Sequence, residues 1–387
     1  MKKIGLCVCY DTKNFGSQLQ VLATQKAVEE LGYDYEVIRY KKKLTPVFML
    51  QSLPRLFNPY FMRGKLSGIK KRRIIKKHEE IAKQVSVRNK RFDNFVDSYF
   101  LKLSKPYVGY EALKKNAKKY DGVLTGSDQL WLPGNLGSHF YTQEFVPDNV
   151  NKVAYATSFG VGSIPWFQKK RTRNYLNRFQ YLSSRELQGS KIIKELTGRE
   201  SVTVADPTLL FSGDEWFDYI PDNKVIEGKY IFCYFLGDNP KHREISEELK
   251  AKTGFEIVTI PFLDNFVERD LTFGDKPLYD VDAADFVNLI RNAEYILTDS
   301  FHGSVFSILN HKKFVTFNRF MDDSKDSRNS RIDSLCELLG LSQRRYKSDI
   351  IETADREIDY EAVDKRVEKL RINSKAYLCD ALKGSDK

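Results

Sequence analysis

Short apolar segments alternate with segments of helical spacing along this chain, and that alternation constrains its fold most strongly. Residues Lys3 to Tyr10 have the pattern of a strand, and Gln18 to Leu31 carry apolar residues at helical spacing until Gly32 ends the stretch before a second strand, YDYEVIRY. Parallel strands need a crossover connection of a dozen or more residues, usually a helix, so these two strands are predicted to pair in parallel. The first turn lacks the Gly-x-Gly-x-x-Gly pattern, which disfavours an NAD-dependent enzyme.

The alternation continues in two series separated by a break. Strands of the first series are predicted in YDGVLTGSDQLW, NKVAYATSFG, YLSSREL and SVTVADPTLLF, which ends at Phe211. The segment SGDEWFDYIPDNKVIEGK is rich in Gly, Pro and Asp, which is typical of a linker. A second series follows, with strands in YIFCYFLG, FEIVTIP, YILTDS and KKFVTFN. Two such series predict an α/β protein with two Rossmann-like parallel-sheet domains that face one another across a cleft.

The length of 387 residues leaves room for two domains of ordinary size. The predicted parts are an N-terminal Rossmann-like domain at 1–211, a basic and aromatic-rich helical insertion within it at about 44–103, a linker at 212–228, a C-terminal Rossmann-like domain at 229–345, and a C-terminal helical extension at 346–387. The last helix, about Tyr360 to Leu382, is long enough to return and pack on the N-terminal domain.

The positive charge of the chain is concentrated in the insertion. The net charge is +11, and between Arg63 and Arg91 twelve Lys or Arg residues stand against only Glu79 and Glu80. The segment just upstream, TPVFMLQSLPRLFNPYFM, is apolar and aromatic. This composition at about 44–91 is typical of peripheral contact with an anionic membrane, and the alternative is a solvated surface helix with a hydrophobic lid. Nucleic-acid binding is not expected, because stacking aromatics are not interleaved with the basic residues and no RNA-binding motif is present.

Several sequence features indicate the cellular compartment of the protein and whether it binds a metal. The five cysteines lack metal-ligand spacing, so reduced thiols in a cytoplasmic protein fit best. No segment approaches the roughly 20 apolar residues that cross a bilayer, and the first apolar stretch stops at Asp11 without a cleavage site. Asp280 and Asp282 precede a predicted helix at Ala283, so helix capping is a better interpretation than Mg²⁺ binding. No metal is expected.

One histidine stands where an apolar run turns polar, in ILTDSFHGSVFSI. The first half of this segment is predicted as a buried strand and the second as the start of a helix, so His302 lies at the strand's carboxyl end. Open α/β sheets bind ligands at that edge. His302 is therefore either a site residue or a histidine that caps the helix or fills a gap, and His139 is the other candidate of the five histidines.

The segment TGSDQLW carries polar residues at another strand end. Ser127, Asp128 and Gln129 form either a ligand-binding turn or a helix N-cap. Trp131 either stacks on a sugar face or anchors the loop in the core.

Arginines near strand and helix ends are candidates for anion binding. Arg185 either holds a carboxylate or phosphate with both arms of its guanidinium or pairs with Glu186 or a neighbouring helix. Arg328 and Arg331 precede a predicted amphipathic helix, where they either bind an anion or form surface salt bridges.

Six segments, in their order and spacing, resemble the polysaccharide pyruvyl transferase family: NFGSQLQVLATQKAVEELG, YDGVLTGSDQLW, VAYATSFG, LSSREL, VADPTLL and ILTDSFHGSVFSI. The resemblance extends from Lys3 to about Leu341, apart from the basic segment between Leu44 and Leu103. It implies a glycosyltransferase-B-like pair of Rossmann-type domains, phosphoenolpyruvate as the donor, and no metal or other cofactor. The implied product is a pyruvate ketal, or occasionally an enol ether, on a bacterial surface sugar.

The resemblance also implies roles for individual residues. His302 matches a histidine proposed as the general acid, and Arg185 matches an arginine thought to bind the donor's anionic groups. Characterised members often have Arg-Leu-His where this chain has Ser300, Phe301 and His302. A cationic donor contact is thus missing, and Arg331 or Arg328 would have to replace it.

The remaining site assignments follow from these motifs. Helix N-terminal amides suit a negatively charged donor, so the donor-binding set is Arg185, Ser300, Phe301, Gly303, Ser304 and Arg331. The set assigned to acceptor binding or to the general base is Asn14, Gly16, Gln20, Ser127, Asp128, Gln129, Trp131 and His139. We expect Asp128 or His139 to deprotonate the acceptor hydroxyl. We expect the acceptor to be a lipid-linked oligosaccharide, and the protein to be cytoplasmic or peripheral on the inner face of the plasma membrane.

Two other functions compete with this interpretation. A glycosyltransferase that uses a nucleotide sugar would have the same two-domain scaffold, because a fold does not fix a function. A non-catalytic protein that binds anions or nucleic acid would use the basic segment instead. The donor that binds the cleft distinguishes these alternatives.

Overall fold

The computed structural model of the protein describes residues 1–43, 62, 78–134, 139–263, 267–319 and 330–384. Most of the predicted insertion, at 44–61 and 63–77, and Arg328 lie outside the described residues. Within them, no helix is long and apolar enough to cross a bilayer.

The first half of the chain builds a parallel sheet. Its described strands are β1 Lys3–Cys7, β2 Asp34–Val37, β3 Tyr40–Lys41, β4 Tyr107–Val108, β5 Gly122–Asp128, β6 Asn151–Thr157, β7 Tyr181–Ser184 and β8 Val202–Thr203. Six of these described strands pair in the order β2-β1-β5-β6-β7-β8, and β3 pairs with β4 separately. Every pairing is parallel. Both faces of β5 and β6 are buried, as expected for parallel strands covered by helices on both sides.

The second half builds another parallel sheet. Its described strands are β9 Tyr230–Tyr234, β10 Glu256–Thr259, β11 Lys276–Pro277, β12 Tyr295–Thr298 and β13 Lys313–Thr316. They pair in the order β11-β10-β9-β12-β13, again all parallel. The predicted α/β class with two parallel sheets is confirmed.

Helices connect the strands and cover the sheets. In the described residues they are α1 Phe15–Glu30, α2 Glu79–Tyr99, α3 Tyr110–Ala117, α4 Trp166–Leu176, α5 Leu187–Thr197, α6 Gly213–Tyr219, α7 Pro240–Thr253, α8 Ala283–Asn292, α9 Phe301–Leu309, α10 Ser330–Leu339, α11 Ile350–Asp355 and α12 Tyr360–Lys383. Single 3₁₀ turns span Pro207–Leu210, Glu268–Leu271 and Ser342–Arg344.

Helix α1 begins three residues earlier than its apolar spacing indicated. The side chain of Asn14 accepts a hydrogen bond from the Ser17 N–H and caps the helix, which therefore starts at Phe15. This places the first turn of α1 directly behind the carboxyl end of β1, where it faces the second sheet.

The segment predicted as a linker contains a helix, α6. Ser212 and Glu215 form a reciprocal capping box at its start, and the Trp216 side chain is fully buried. A Ser-x-x-Glu pattern is a helix-start signal, which the Gly, Pro and Asp content of the segment obscured in the sequence.

The two halves pack through apolar side chains. The Phe15 ring lies 4.8 Å from that of Phe92 and stacks on that of Phe286 at 5.1 Å between centroids. Phe92 comes from α2, and Phe286 comes from α8 beside the second sheet. The first turn of α1 is thus fixed between the two halves.

Helix α2, the described end of the predicted insertion, contacts the second half through charge. Arg91 forms ion pairs with Asp282 and Asp285 at the start of α8. Asp282 caps α8 by accepting hydrogen bonds from the Ala284 and Asp285 N–H groups. The capping interpretation of Asp282 is confirmed.

The last helix, α12, returns to the first sheet. The Tyr377 hydroxyl donates a hydrogen bond to the Ala154 carbonyl in β6 at 3.1 Å, and the Ala205 N–H donates to the Ser374 hydroxyl at 2.8 Å. The C-terminal extension therefore covers part of the first sheet.

Candidate active site

A pocket of about 410 Å³ opens where the carboxyl ends of the two sheets meet. Its walls come from the loops after β1 and β5 in the first sheet and after β9, β10, β12 and β13 in the second. In each sheet these loops flank the point at which the strand order reverses, between β1 and β5 and between β9 and β12. Ligands of open α/β sheets bind at such points, and the volume suits a small molecule.

His302 lines this pocket from the first turn of α9. Ser300 caps that helix, since its hydroxyl accepts a hydrogen bond from the Gly303 N–H. His302 is 7% exposed, and the Phe301 ring meets it edge to face at 5.2 Å. The imidazole is held in place, with little contact to bulk solvent.

Gly16 allows His302 to occupy this position. A Cβ atom at residue 16 would lie 2.0 Å from His302 Nδ1, far closer than any real contact. The first turn of α1 therefore presses its backbone against the imidazole. Two residues predicted for the site from separate motifs are brought together across the two halves of the chain.

Asp206 lies behind the imidazole and is fully buried. Its Oδ1 is 3.6 Å from His302 Nε2 and accepts hydrogen bonds from the Thr208 N–H and hydroxyl. Burial opposes ionisation, but the charges of His302 and Arg185 and the Thr208 hydrogen bond lower the pKa of Asp206 well below its usual range. Asp206 is therefore a buried carboxylate that lies beside the His302 imidazole at ion-pair distance.

Arg185 joins Asp206 to Asp128. Its side chain is 1% exposed, with Nη1 at 2.8 Å from Asp206 Oδ2 and Nη2 at 3.3 Å from Asp128 Oδ1. The guanidinium also lies over the Phe301 ring, 4.7 Å from its centroid. Arg185 is thus beneath the pocket, with its charge compensated by two carboxylates, and is not among the residues that line it.

Asp128 reaches the pocket at the end of β5. The Ser17 hydroxyl donates to its Oδ2 at 2.6 Å and the Gln129 N–H to its Oδ1 at 2.8 Å. Burial would raise the pKa of Asp128, but Arg185, His302 and the Ser17 hydrogen bond together lower it. Asp128 is therefore an ionised acceptor at the pocket surface.

Arg331 provides positive charge at the pocket. Among the described residues its buried Nε has no hydrogen-bond partner. Burial, with repulsion from Arg185 and Arg319, lowers the pKa of Arg331 to about 9, so the group is still a cation at neutral pH. An anion bound here would relieve that unfavourable environment.

A model of the polysaccharide pyruvyl transferase family matches residues 14–319, which include most of the pocket lining, although Thr12, Lys13 and Arg331 lie outside the matched range. The chain belongs to the polysaccharide pyruvyl transferase family. Pyruvyl transferases are enzymes that transfer a pyruvyl group from a donor to a sugar acceptor, so this protein is a transferase. No curated protein matches the chain.

The chain is similar to solved structures of UDP-GlcNAc 2-epimerases. The UDP-GlcNAc 2-epimerase from Neisseria meningitidis bound to UDP-GlcNAc has a TM-score of 0.51 at 10% identity, covering 99% of this chain and 100% of that chain. A putative UDP-N-acetylglucosamine 2-epimerase from Listeria monocytogenes has a TM-score of 0.47 at 11% identity, with 95% and 90% covered. The first likeness shows the fold alone. The predicted glycosyltransferase-B-like architecture is confirmed.

Two residues assigned to the site, Ser127 and Gln20, do not line the pocket and instead form hydrogen bonds behind it. Ser127 is buried and donates to Asp206 Oδ2 at 3.0 Å. Gln20 is also buried and accepts a hydrogen bond from the Ser127 N–H at 3.0 Å. Of the other acceptor candidates, Asn14 and Gln129 line the pocket.

Trp131 and His139 lie away from the pocket lining. Trp131 is fully buried and packs on the rings of Phe159 and Tyr175, so it anchors its loop in the core. His139 Nδ1 lies 2.9 Å from Glu144 Oε2. The sequence could not reveal this, because His139 was assigned to the site only as the other candidate histidine and by its nearness along the chain to Asp128.

Gly303 and Ser304 cannot offer their amides to a donor. The Gly303 N–H donates to the Ser300 hydroxyl, and the Ser304 N–H donates to the Ser300 carbonyl. Only the first two N–H groups of α9, at Phe301 and His302, precede the first intrahelical bonds.

Sequence reasoning missed Asp206 and Arg319. Asp206 stands in VADPTLL, a segment that contributed to the family resemblance but in which no residue was assigned to the site. Arg319 lines the pocket after β13, but nothing in the surrounding sequence distinguishes it from a surface arginine.

Proposed function

We propose that the pocket binds phosphoenolpyruvate and transfers its pyruvate unit to hydroxyls of a cell-surface polysaccharide precursor, forming a pyruvate ketal and releasing phosphate. The observation that carries this proposal is the placement of His302, backed by the Asp206 carboxylate, in a pocket shared with the arginine Arg331. A proton donor next to an anion site is what this donor requires.

The first proposed step is proton transfer from His302 to the methylene carbon of the donor. The carbon–carbon double bond of phosphoenolpyruvate takes up this proton, and the central carbon becomes an oxocarbenium-like electrophile. Asp206 stabilises the protonated imidazole that precedes the transfer. A positioned general acid of this kind contributes about 10²- to 10⁴-fold to the rate.

In the second step, an acceptor hydroxyl attacks the central carbon and loses its proton. Asp128 is ionised and reaches the pocket surface, which supports a role in accepting or orienting that proton. A second acceptor hydroxyl then displaces phosphate from the same carbon and closes the ketal ring. Of the two hydroxyl protons, one restores the proton that His302 gave to the donor and the other leaves with phosphate, so the reaction balances without an oxidant or reductant.

Donor binding is assigned to Arg331 and the start of α9. The two carboxylates nearest the pocket floor already compensate Arg185. Arg185 therefore acts indirectly in this proposal, by keeping Asp128 and Asp206 ionised and in place, and not as the donor contact that the family resemblance implied.

The acceptor is proposed to be a lipid-linked oligosaccharide on the inner face of the plasma membrane. The basic and aromatic segment at about 44–91 supports this, because each Lys or Arg near an anionic surface contributes about 1 kcal/mol. Replacing the basic residues from Lys70 to Lys77 with Gln should abolish association with vesicles containing anionic lipid at low salt. A variant with six Lys→Gln changes at exposed lysines outside this segment, Lys114, Lys115, Lys118, Lys170, Lys191 and Lys252, should bind as the wild type does, and equal binding of both variants would refute the membrane contact.

The donor is tested by thermal stabilisation. Phosphoenolpyruvate at 100 times its dissociation constant should add about 2.7 kcal/mol of apparent stability, more than UDP, GDP, CMP or inorganic phosphate at equal ionic strength. His302→Ala should keep the fold and lose turnover, whereas His311→Ala, at an exposed ion pair with Asp364, should retain turnover. Selective stabilisation by a nucleotide would point to a nucleotide-sugar glycosyltransferase instead.

A further inference from the structure

Arg319 lies at the carboxyl end of β13 and lines the pocket on the side of the second sheet. Its side chain is 18% exposed. Its Nη2 donates to the backbone carbonyl of Asp299 at 2.9 Å, and its Nε lies 3.6 Å from the Asp299 carboxylate. Asp299 directly precedes Ser300, the cap of α9, so the guanidinium is fixed beside the start of that helix.

Asp299 holds more than Arg319. Its fully buried carboxylate accepts hydrogen bonds from the Leu236 N–H at 2.7 Å and the Gly237 N–H at 2.8 Å. These two amides belong to the loop after β9, and Leu236 is itself part of the pocket wall. One carboxylate therefore ties together three loops of the second sheet, those after β9, β12 and β13.

Gly237 makes this arrangement possible. A Cβ atom there would lie 2.9 Å from Asp299 Oδ2 and 3.0 Å from Arg319 Cγ. The absence of a side chain thus lets the loop close over the pair. A guanidinium held in this way has lost its conformational freedom before any ligand arrives, so it binds an anion at a lower entropic cost than a free surface arginine does.

The charges around the pocket indicate what Arg319 binds. Asp128 and Asp206, the carboxylates of the first sheet, are compensated by Arg185. Asp299 shares its charge between two backbone amides and Arg319. Within the described part of the chain, the contacts to Asp299 occupy only part of the five N–H donors of a guanidinium. Arg319 therefore offers donors to the pocket next to the two amides at the start of α9.

We propose that Arg319, positioned by Asp299, binds the phosphoryl oxygens of the donor and sets the preference of the site for a phosphorylated donor. This inference rests on the proposed function. Arg319 is the specificity-determining residue, and Asp299 is a positioning residue that acts through it. The phosphoryl group would lie between Arg319 and the N-terminal turn of α9.

The test compares Arg319→Gln with Arg356→Gln, a control at an exposed arginine paired with Glu352. Arg319→Gln should raise KM for phosphoenolpyruvate about 10- to 100-fold, the range for a lost charge-assisted hydrogen bond, with a smaller change in kcat. Stabilisation by inorganic phosphate should be lost, while binding of pyruvate, which lacks the phosphoryl group, should not change. Arg319→Lys should give an intermediate KM, and this variant replaces Arg319→Gln in the test if the Gln variant does not fold.

Asp299→Asn should raise KM in the same direction, and adding it to Arg319→Gln should produce no further increase, because Asp299 acts through the arginine. Additive effects would show that Asp299 has a purely structural role. Normal phosphate and donor binding by folded Arg319→Gln would overturn the inference and leave the proposed function intact. Wild-type protein that binds neither phosphoenolpyruvate nor phosphate would overturn both.

Discussion

Replacing Asp206 with Asn should destabilise the protein far more than its small change in shape suggests. Each carboxylate oxygen of Asp206 accepts hydrogen bonds from two donors, Oδ1 from the Thr208 N–H and hydroxyl and Oδ2 from Ser127 and Arg185. In either orientation, the NH₂ group of Asn would face donors. Arg185 would also remain buried with only the longer ion pair to Asp128. Removing one partner of a buried ion pair costs about 3–5 kcal/mol.

The free energy of unfolding can be measured by urea denaturation at pH 7. Asp148→Asn is the matched control, because Asp148 also pairs with an arginine, Arg178, but is 85% exposed, and such pairs contribute about 0–1 kcal/mol. A difference below about 1 kcal/mol between the two variants would refute the argument that Asp206 compensates a buried charge.

Repeating the urea denaturation at lower pH tests the role of the Asp206 charge independently. The pKa of Asp206 is lowered in the folded protein, so its contribution to stability is complete above the unfolded value of about 3.9 and is lost as the pH falls below it toward the folded value. Wild-type stability should therefore fall more steeply than that of Asp206→Asn below about pH 4. Parallel curves would contradict this account.

Two further outcomes follow from the packing. Gly16→Ala should displace the His302 imidazole, since the new Cβ would lie 2.0 Å from its Nδ1. It should therefore lower turnover more than Gly162→Ala, where nothing lies within 4 Å of the new Cβ. Equal turnover of the two variants would contradict the contact. Asp282→Ala should remove the cap of α8 and the Arg91 ion pair and lower the free energy of unfolding by about 1–2 kcal/mol, whereas Asp282→Asn, which keeps the capping oxygen, should lose less.

The sheets could be predicted from the sequence because parallel strands are buried on both faces. Segments such as YIFCYFLG and YILTDS are almost continuously apolar, and a helix of definite spacing follows each. His302 was found for the same reason, since a polar residue at the end of such a run is conspicuous. Its role in turnover remains a prediction.

The contacts of the charged residues could not be predicted. Arg185 and Asp206 are separated by 21 positions and meet only because β7 and the segment after β8 lie side by side. Arg319 is fixed by Asp299 across two strands. Sequence periodicity shows which residues lie at an edge, but not which charges there compensate one another and which face the ligand.

The return of α12 to the first sheet has a consequence for synthesis. The strand that Tyr377 contacts, β6, leaves the ribosome roughly 200 residues before α12 does, which corresponds to about 10–40 s at 5–20 residues per second. During that interval the surface that α12 covers, at β6 and around Ala205, is open to water and to other chains. The first sheet is made early but is covered late, so we expect a nascent chain that stalls before Tyr360 to expose apolar surface to chaperones.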